Sequence, residues 1–256
     1  MRQLQKRYFK GLVPFTACKA DSRFSYCAYV PERCGGDEKP LPLLVVVHGS
    51  ARTAESFRDH FIEFAEQQGC VILAPLFPVG SAGDEDGYKL KPPLSFRYDR
   101  ALLHMVSELG ERYRLEQRFY LFGFSGGAQF AHRFWYLNAS RVRAISIAAP
   151  GSVSLPAEGD ELWKLASETQ QSLEAGLVDV PAQLLIGEED CAPKSSPSET
   201  KWPDRQESLK LLARHLVALG VNAQHQSVAG VAHDGFALIE AAQEFLAQEM
   251  RRQRRC

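Results

Sequence analysis

Gly123-Phe124-Ser125-Gly126-Gly127 fits the pattern G-x-S-x-G, which presents a serine hydroxyl on a sharp turn between a strand and a helix. A reactive side chain on such a turn holds its backbone in a strained region. A Cβ at either flanking glycine would collide with the adjoining strand or helix. The flanks agree with this setting: residues 119–122 read as an apolar strand and 128–137 as a helix. The chemistry on offer is attack of the Ser125 hydroxyl on a carbonyl carbon.

A serine hydroxyl is a weak nucleophile. It needs a base beside it and a further group to orient that base. Asp190, in Ile186-Gly-Glu-Glu-Asp190, lies just past a strand, where open sheets of this kind present their ligand groups. His233, in Val231-Ala-His-Asp-Gly235, precedes the last helix. Along the chain the order is serine, acid, histidine, as expected for such an elbow. Ser125, Asp190 and His233 are therefore the expected catalytic residues. His233 would take the serine proton and return it to the leaving group, and Asp190 would fix the imidazole tautomer. Glu188 and Glu189 compete for the acid role on the same turn. His104, His132 and His215 fall on helices and read as structural.

His48-Gly49-Ser50-Ala51 follows the strand at 43–47. A developing oxyanion needs backbone N–H groups aimed at it. The expected oxyanion donors are the N–H groups of Gly126 and Ser50, with Ala51 as an alternative register, while His48 braces the turn. Ala51, Arg52 and Phe124 are candidate substrate-binding positions. Arg52 either grips a substrate carboxylate as a two-pronged fork or stands solvated before a helix. The loop at 84–98 carries Asp84, Glu85, Asp86, Tyr88, Ser95 and Tyr98, any of which could wall a pocket.

These groups need a scaffold. Residues 7–31 read as a leading hairpin, and 43–47 as a strand covered on both faces. Thr53 is expected to cap one helix running through Gln68. Strands follow at 71–77, 119–122, 142–148, 184–186 and 224–228. Between them lie a helix opened by Asp99, the helix after the elbow, and a stripe of Leu209, Leu212, Leu216 and Leu219 closed by Gly220. The last helix spans 236–246. Strands alternating with helices give an α/β fold with a mostly parallel sheet and helices on both faces. Residues 1–256 read as a single domain. The stretch 151–180, with helical character around Leu162, Trp163 and Leu165, is either a surface excursion or a small lid.

The chain has 256 residues, 45% hydrophobic and 24% charged, enough to build a core. A net charge of −1 provides no global field to recruit nucleic acid or an anionic membrane. Residues 1–10 are charged and lack an apolar core, so no secretory signal is expected. The six cysteines (Cys18, Cys27, Cys34, Cys70, Cys191 and Cys256) contain no C-x-x-C pair, which disfavours a zinc site. Free thiols in a reducing cytoplasm are the expectation. The basic run at 251–256 reads as a solvated, frayed end.

Together, the elbow, the His-Gly turn, the Gly-x-x-Asp turn at 187–190 and the late histidine resemble the α/β-hydrolase superfamily, across about residues 24–248. The local sequence Gly-Phe-Ser-Gly-Gly-Ala-Gln-Phe-Ala-His-Arg at 123–133 is most similar to esterases and poly(3-hydroxyalkanoate) depolymerase-like proteins. The resemblance implies a hydrolase without cofactor; no His, Asp or Cys cluster has metal-ligand spacing, and 256 residues leave little room for a large cap domain. It would act on a small or medium carboxylic ester, or a thioester, through an acyl-enzyme. Serine at 125 disfavours the dienelactone hydrolases, which use cysteine there, and the dehalogenases and epoxide hydrolases, which use aspartate. A native polymer substrate is disfavoured by the missing export signal. A peptidase or amidase of the same fold is the alternative, since Asp190-Cys-Ala-Pro193 is loosely similar to a turn of prolyl-oligopeptidase-like enzymes. A non-catalytic ligand-binding protein is the alternative of another class.

Overall fold

The computed structural model describes residues 10–32, 39–81, 83, 86–91, 94, 96–156, 164, 166–167, 176–191 and 204–255. Among them run strands β1 (Gly11–Ala17), β2 (Ser25–Val30), β3 (Leu43–Val47), β4 (Val71–Leu76), β5 (Phe119–Phe124), β6 (Val142–Ala148), β7 (Ala182–Gly187) and β8 (Ala223–Val228). They form one eight-stranded sheet in the order β1-β2-β4-β3-β5-β6-β7-β8. The hairpin β1–β2 and the pair β2–β4 are antiparallel, and every other pair is parallel.

The helices among the described residues are α1 (Ala54–His60), α2 (Ile62–Gln68), α3 (Tyr98–Gly110), α4 (Gly126–Leu137), α5 (Arg205–Ala218) and α6 (Ile239–Arg255). The all-apolar β3 is buried at every position, as a strand covered on both faces must be. Helices α4 and α6 both pack on β6, which is buried along almost its whole length. The edge strand β8 is polar and only partly buried. The parallel strands β3, β5, β7 and β8 end on the same side of the sheet, so the loops that follow them share one rim.

Local structure departs from the sequence reading in several places. The helix expected from Thr53 through Gln68 breaks at Phe61, with φ −101° and ψ 4°, and Thr53 makes no side-chain cap. The cause is the Phe61 ring, which turns fully inward against Phe64 and Phe122. Helix α3 opens at Tyr98, one residue early. Asp99 is buried in its first turn, and both of its oxygens are held by Arg97 at 2.6 and 2.7 Å. Leu219 falls beyond α5 and is exposed. The basic end is not frayed: α6 continues to Arg255, and Arg252 pairs with Glu249 at 2.5 Å. Leu162, Trp163 and Leu165 lie outside the described residues, as do Asp84, Glu85 and Ser95. No helix among the described residues is long and apolar enough to cross a membrane.

Candidate active site

Ser125 stands between β5 and α4 with φ 53° and ψ −112°, in the left-handed half of backbone space. A non-glycine residue held there costs on the order of 1–3 kcal/mol, which the surroundings must offset. Its N–H donates to Ala148 O at 2.9 Å, tying the turn to β6. The flanking glycines allow the close approach. A Cβ at Gly123 would lie 2.3 Å from Gly127 O, and one at Gly127 would lie 2.3 Å from Val47 O.

The structure brings the three expected side chains together. His233 Nε2 lies 3.0 Å from Ser125 Oγ, and His233 Nδ1 lies 2.6 Å from Asp190 Oδ2. A carboxylate can only accept, so Nδ1 carries the proton and the lone pair of Nε2 faces the serine hydroxyl. Asp190 is buried, while Glu188 and Glu189 on the same turn are exposed. A further residue completes the set. Arg205, the first residue of α5, donates from Nη1 to Asp190 Oδ1 at 2.7 Å. Burial pushes the Asp190 carboxyl up, but the hydrogen bond and charge of His233 and the charge and hydrogen bond of Arg205 outweigh it. The group therefore titrates below its ordinary value. No local pattern announces Arg205, because 15 residues separate it from its partner.

The turn after β3 stands beside the elbow. Among the described residues, the N–H groups of Ser50 and Gly126 have no hydrogen-bond acceptor, so both are free to donate. Ala51 is exposed, and the Arg52 N–H closes the turn onto Gly49 O at 3.1 Å. Arg52 adopts φ 59° and is half-buried. Its Nη1 donates to Ser50 O at 2.5 Å and its Nε to Phe77 O at 3.4 Å, and its guanidinium lies 4.6 Å from the Tyr88 ring centroid. Two of its donors thus hold the turn, so the side chain is not simply solvated.

His48 is the brace of this turn. Its Nε2 accepts from the Phe77 N–H at 3.2 Å, and its Nδ1 therefore donates to Gly49 O at 2.8 Å. Burial pushes its pKa down to about 4, so the ring stays neutral.

Of the pocket-wall candidates in the described part of the 84–98 loop, Tyr88 turns in. It sits in a single 3-10 turn, Gly87–Lys89, closed by Leu90 at φ 55°. Lys89 O accepts from Nη1 of the fully buried Arg133 of α4 at 2.7 Å. The Tyr88 ring packs on His48 and Phe77, with centroids 5.5 and 5.8 Å apart. Tyr98 belongs to the core, against Phe24 and Phe77. Phe124 lies beneath the imidazole of His233, 4.8 Å between centroids, and continues into Phe57 at 6.0 Å. Its ring supports the histidine as well as bordering the site. No group of three or more His, Cys, Asp or Glu side chains among the described residues is placed to hold a metal ion.

No family model and no curated protein matches the sequence. The structure is similar to that of poly(aspartic acid) hydrolase-1 from Sphingomonas sp. KT-1, with 18% identity, TM-score 0.73, and 86% of this chain and 92% of that chain covered. It is also similar to a poly(3-hydroxybutyrate) depolymerase from Bordetella parapertussis, with 24% identity, TM-score 0.67, and 90% and 89% covered. An S-formylglutathione hydrolase from Agrobacterium tumefaciens follows the same course, with 15% identity, TM-score 0.62, and 90% of each chain covered. The shared architecture is the α/β-hydrolase fold.

Proposed function

We propose that this chain is a serine hydrolase that cleaves a small or medium carboxylic ester through an acyl-enzyme. The observation that carries the reading is the unbroken hydrogen-bonded series Ser125 Oγ, His233, Asp190, with the serine on a strained elbow. Ser125 Oγ attacks the acyl carbon while His233 Nε2 takes the hydroxyl proton. The oxygen that gains negative charge accepts from the N–H groups of Gly126 and Ser50. The imidazolium then gives its proton to the departing alkoxide, leaving the acyl group on Ser125. Water, activated by the same imidazole, releases the acid. Asp190, locked by Arg205, keeps the proton on Nδ1 throughout.

The test is turnover of short-chain p-nitrophenyl esters and labelling by a fluorophosphonate, with thioester and amide substrates run alongside. Turnover and labelling that both vanish in Ser125→Ala are the expected result. Amide cleavage without ester cleavage would move the reading to a peptidase or amidase. A parent inert to the whole panel, with ligand binding unchanged in Ser125→Ala, would replace catalysis by a binding role.

A further inference from the structure

The Tyr88 hydroxyl is closed off from solvent and has no hydrogen-bond partner among the described residues. An unmet buried donor is uncommon and calls for a physical cause. This one is held in place by the tilted rings of His48 and Phe77, by the Arg52 guanidinium, and by the bond from Arg133 to Lys89 O. It ends over Gly126. A Cβ at Gly126 would lie 2.0 Å from Tyr88 Oη and 2.9 Å from Ser50 Oγ. Two hydroxyl oxygens therefore crowd the residue whose N–H faces the oxyanion position. Ser50 is exposed on the open side and Tyr88 is closed in behind. Ser50 is the one side chain whose hydrogen bonding bears on the phenol's ionisation. Burial raises the phenol pKa to about 12, so it remains a neutral donor.

We propose that the Ser50 hydroxyl, and not only its N–H, donates to the oxyanion, and that Tyr88 donates to Ser50 Oγ from behind and holds it in that orientation. The inference rests on the acyl-transfer reading above. No proton changes owner. When Ser50 turns its O–H toward the charged oxygen, its lone pair is left facing Tyr88, and the phenol, which makes no well-formed hydrogen bond in the resting site, gains an acceptor. Donors linked in series polarise one another, so the arrangement strengthens as charge develops. Ser50 touches the reacting atom, whereas Tyr88 is a positioning residue.

Ser50→Ala removes the hydroxyl and keeps the N–H. It is expected to lower kcat on a p-nitrophenyl ester by roughly tenfold to hundredfold, with KM changed by less than about threefold. Tyr88→Phe is expected to lower kcat by about threefold to tenfold, the worth of one ordinary hydrogen bond. On the Ser50→Ala background Tyr88→Phe is expected to lower kcat no further. The Tm of Tyr88→Phe should match or exceed that of the parent, because the hydroxyl removed is unpaired at rest.

Ser50→Ala with kcat within about twofold of the parent overturns the proposal, since backbone donors then suffice. Equal losses from Tyr88→Phe on both backgrounds overturn the Ser50–Tyr88 coupling. A lowered Tm in Tyr88→Phe overturns it too, by making the phenol a structural group. Both results require Ser125-dependent turnover in the parent; without that turnover the acyl-transfer reading itself fails, and this inference fails with it.

Discussion

Acidification should weaken this fold through His48, by an amount that can be worked out. The ring is neutral and buried, and its pKa falls from an ordinary 6.5 to about 4. The unfolded chain therefore binds a proton that the folded chain refuses. A group depressed in the folded state supports the fold fully above its unfolded pKa. That support is lost as pH falls from 6.5 toward 4. Between pH 7 and pH 5 the loss from this one residue is about 2 kcal/mol. Other groups also titrate, so the comparison is with His48→Gln, whose amide oxygen can still accept from the Phe77 N–H. Guanidinium unfolding followed by tryptophan fluorescence gives the stability of both proteins at each pH. The gap between parent and variant should narrow by about 2 kcal/mol on going from pH 7 to pH 5. A gap that holds level to within about 0.5 kcal/mol would refute the neutral brace. Protonation also removes the acceptor for the Phe77 N–H, so the turn bearing Ser50 should loosen over the same range.

Further outcomes follow from the geometry of the site. Gly127→Ala places a methyl group 2.3 Å from Val47 O and 2.5 Å from His48 O, two backbone atoms that cannot step aside. A loss of about 3 kcal/mol or more is expected, read as a lower Tm or as insoluble protein; an unaltered Tm would contradict the packing. Arg205→Ala strands a buried carboxylate oxygen and should cost about 3–5 kcal/mol in unfolding free energy, with Arg205→Lys recovering part of it. Asp190→Asn should lower kcat by about 10⁴-fold, the magnitude known when the orienting carboxylate of such a triad becomes an amide. Because the Asp190 carboxyl is depressed below its ordinary 3.8, the stability gap to Asp190→Asn should be full at neutral pH and close as pH falls below that value.

The sequence exposed the parts of this molecule that local constraint controls. The alternation of strands and helices is carried by runs such as Leu43–Val47, whose burial on both faces dictates an unbroken apolar string. Ser125, Asp190 and His233 stand where strand-end turns put them, and the glycines around Ser125 record a steric need that the backbone separations bear out. What stayed hidden depends on three-dimensional partners. Phe61 breaks a helix because a pocket awaits its ring, which no cap signal encodes. Arg205 reaches Asp190 only after α5 is docked. Tyr88 was one of several polar loop residues until the ring packing against His48 and the Arg133 bond to Lys89 O fixed its direction. Arg52 looked ordinary because its left-handed backbone is set by tertiary contacts.

Among the described residues, strand β8 is paired on one side only, along Ala223–Val228 against β7, and its side chains are largely polar. The loop that carries His233 begins where this strand ends, whereas Ser125 hangs from β5, clasped between β3 and β6. His233 is thus moored to the rim of the sheet, and Ser125 to its middle. Opening of a sheet margin requires less free energy than opening of its centre. Mild heat or denaturant should therefore abolish the proposed turnover while most of the amides remain protected from hydrogen exchange, and return to mild conditions should restore it without a full refolding step.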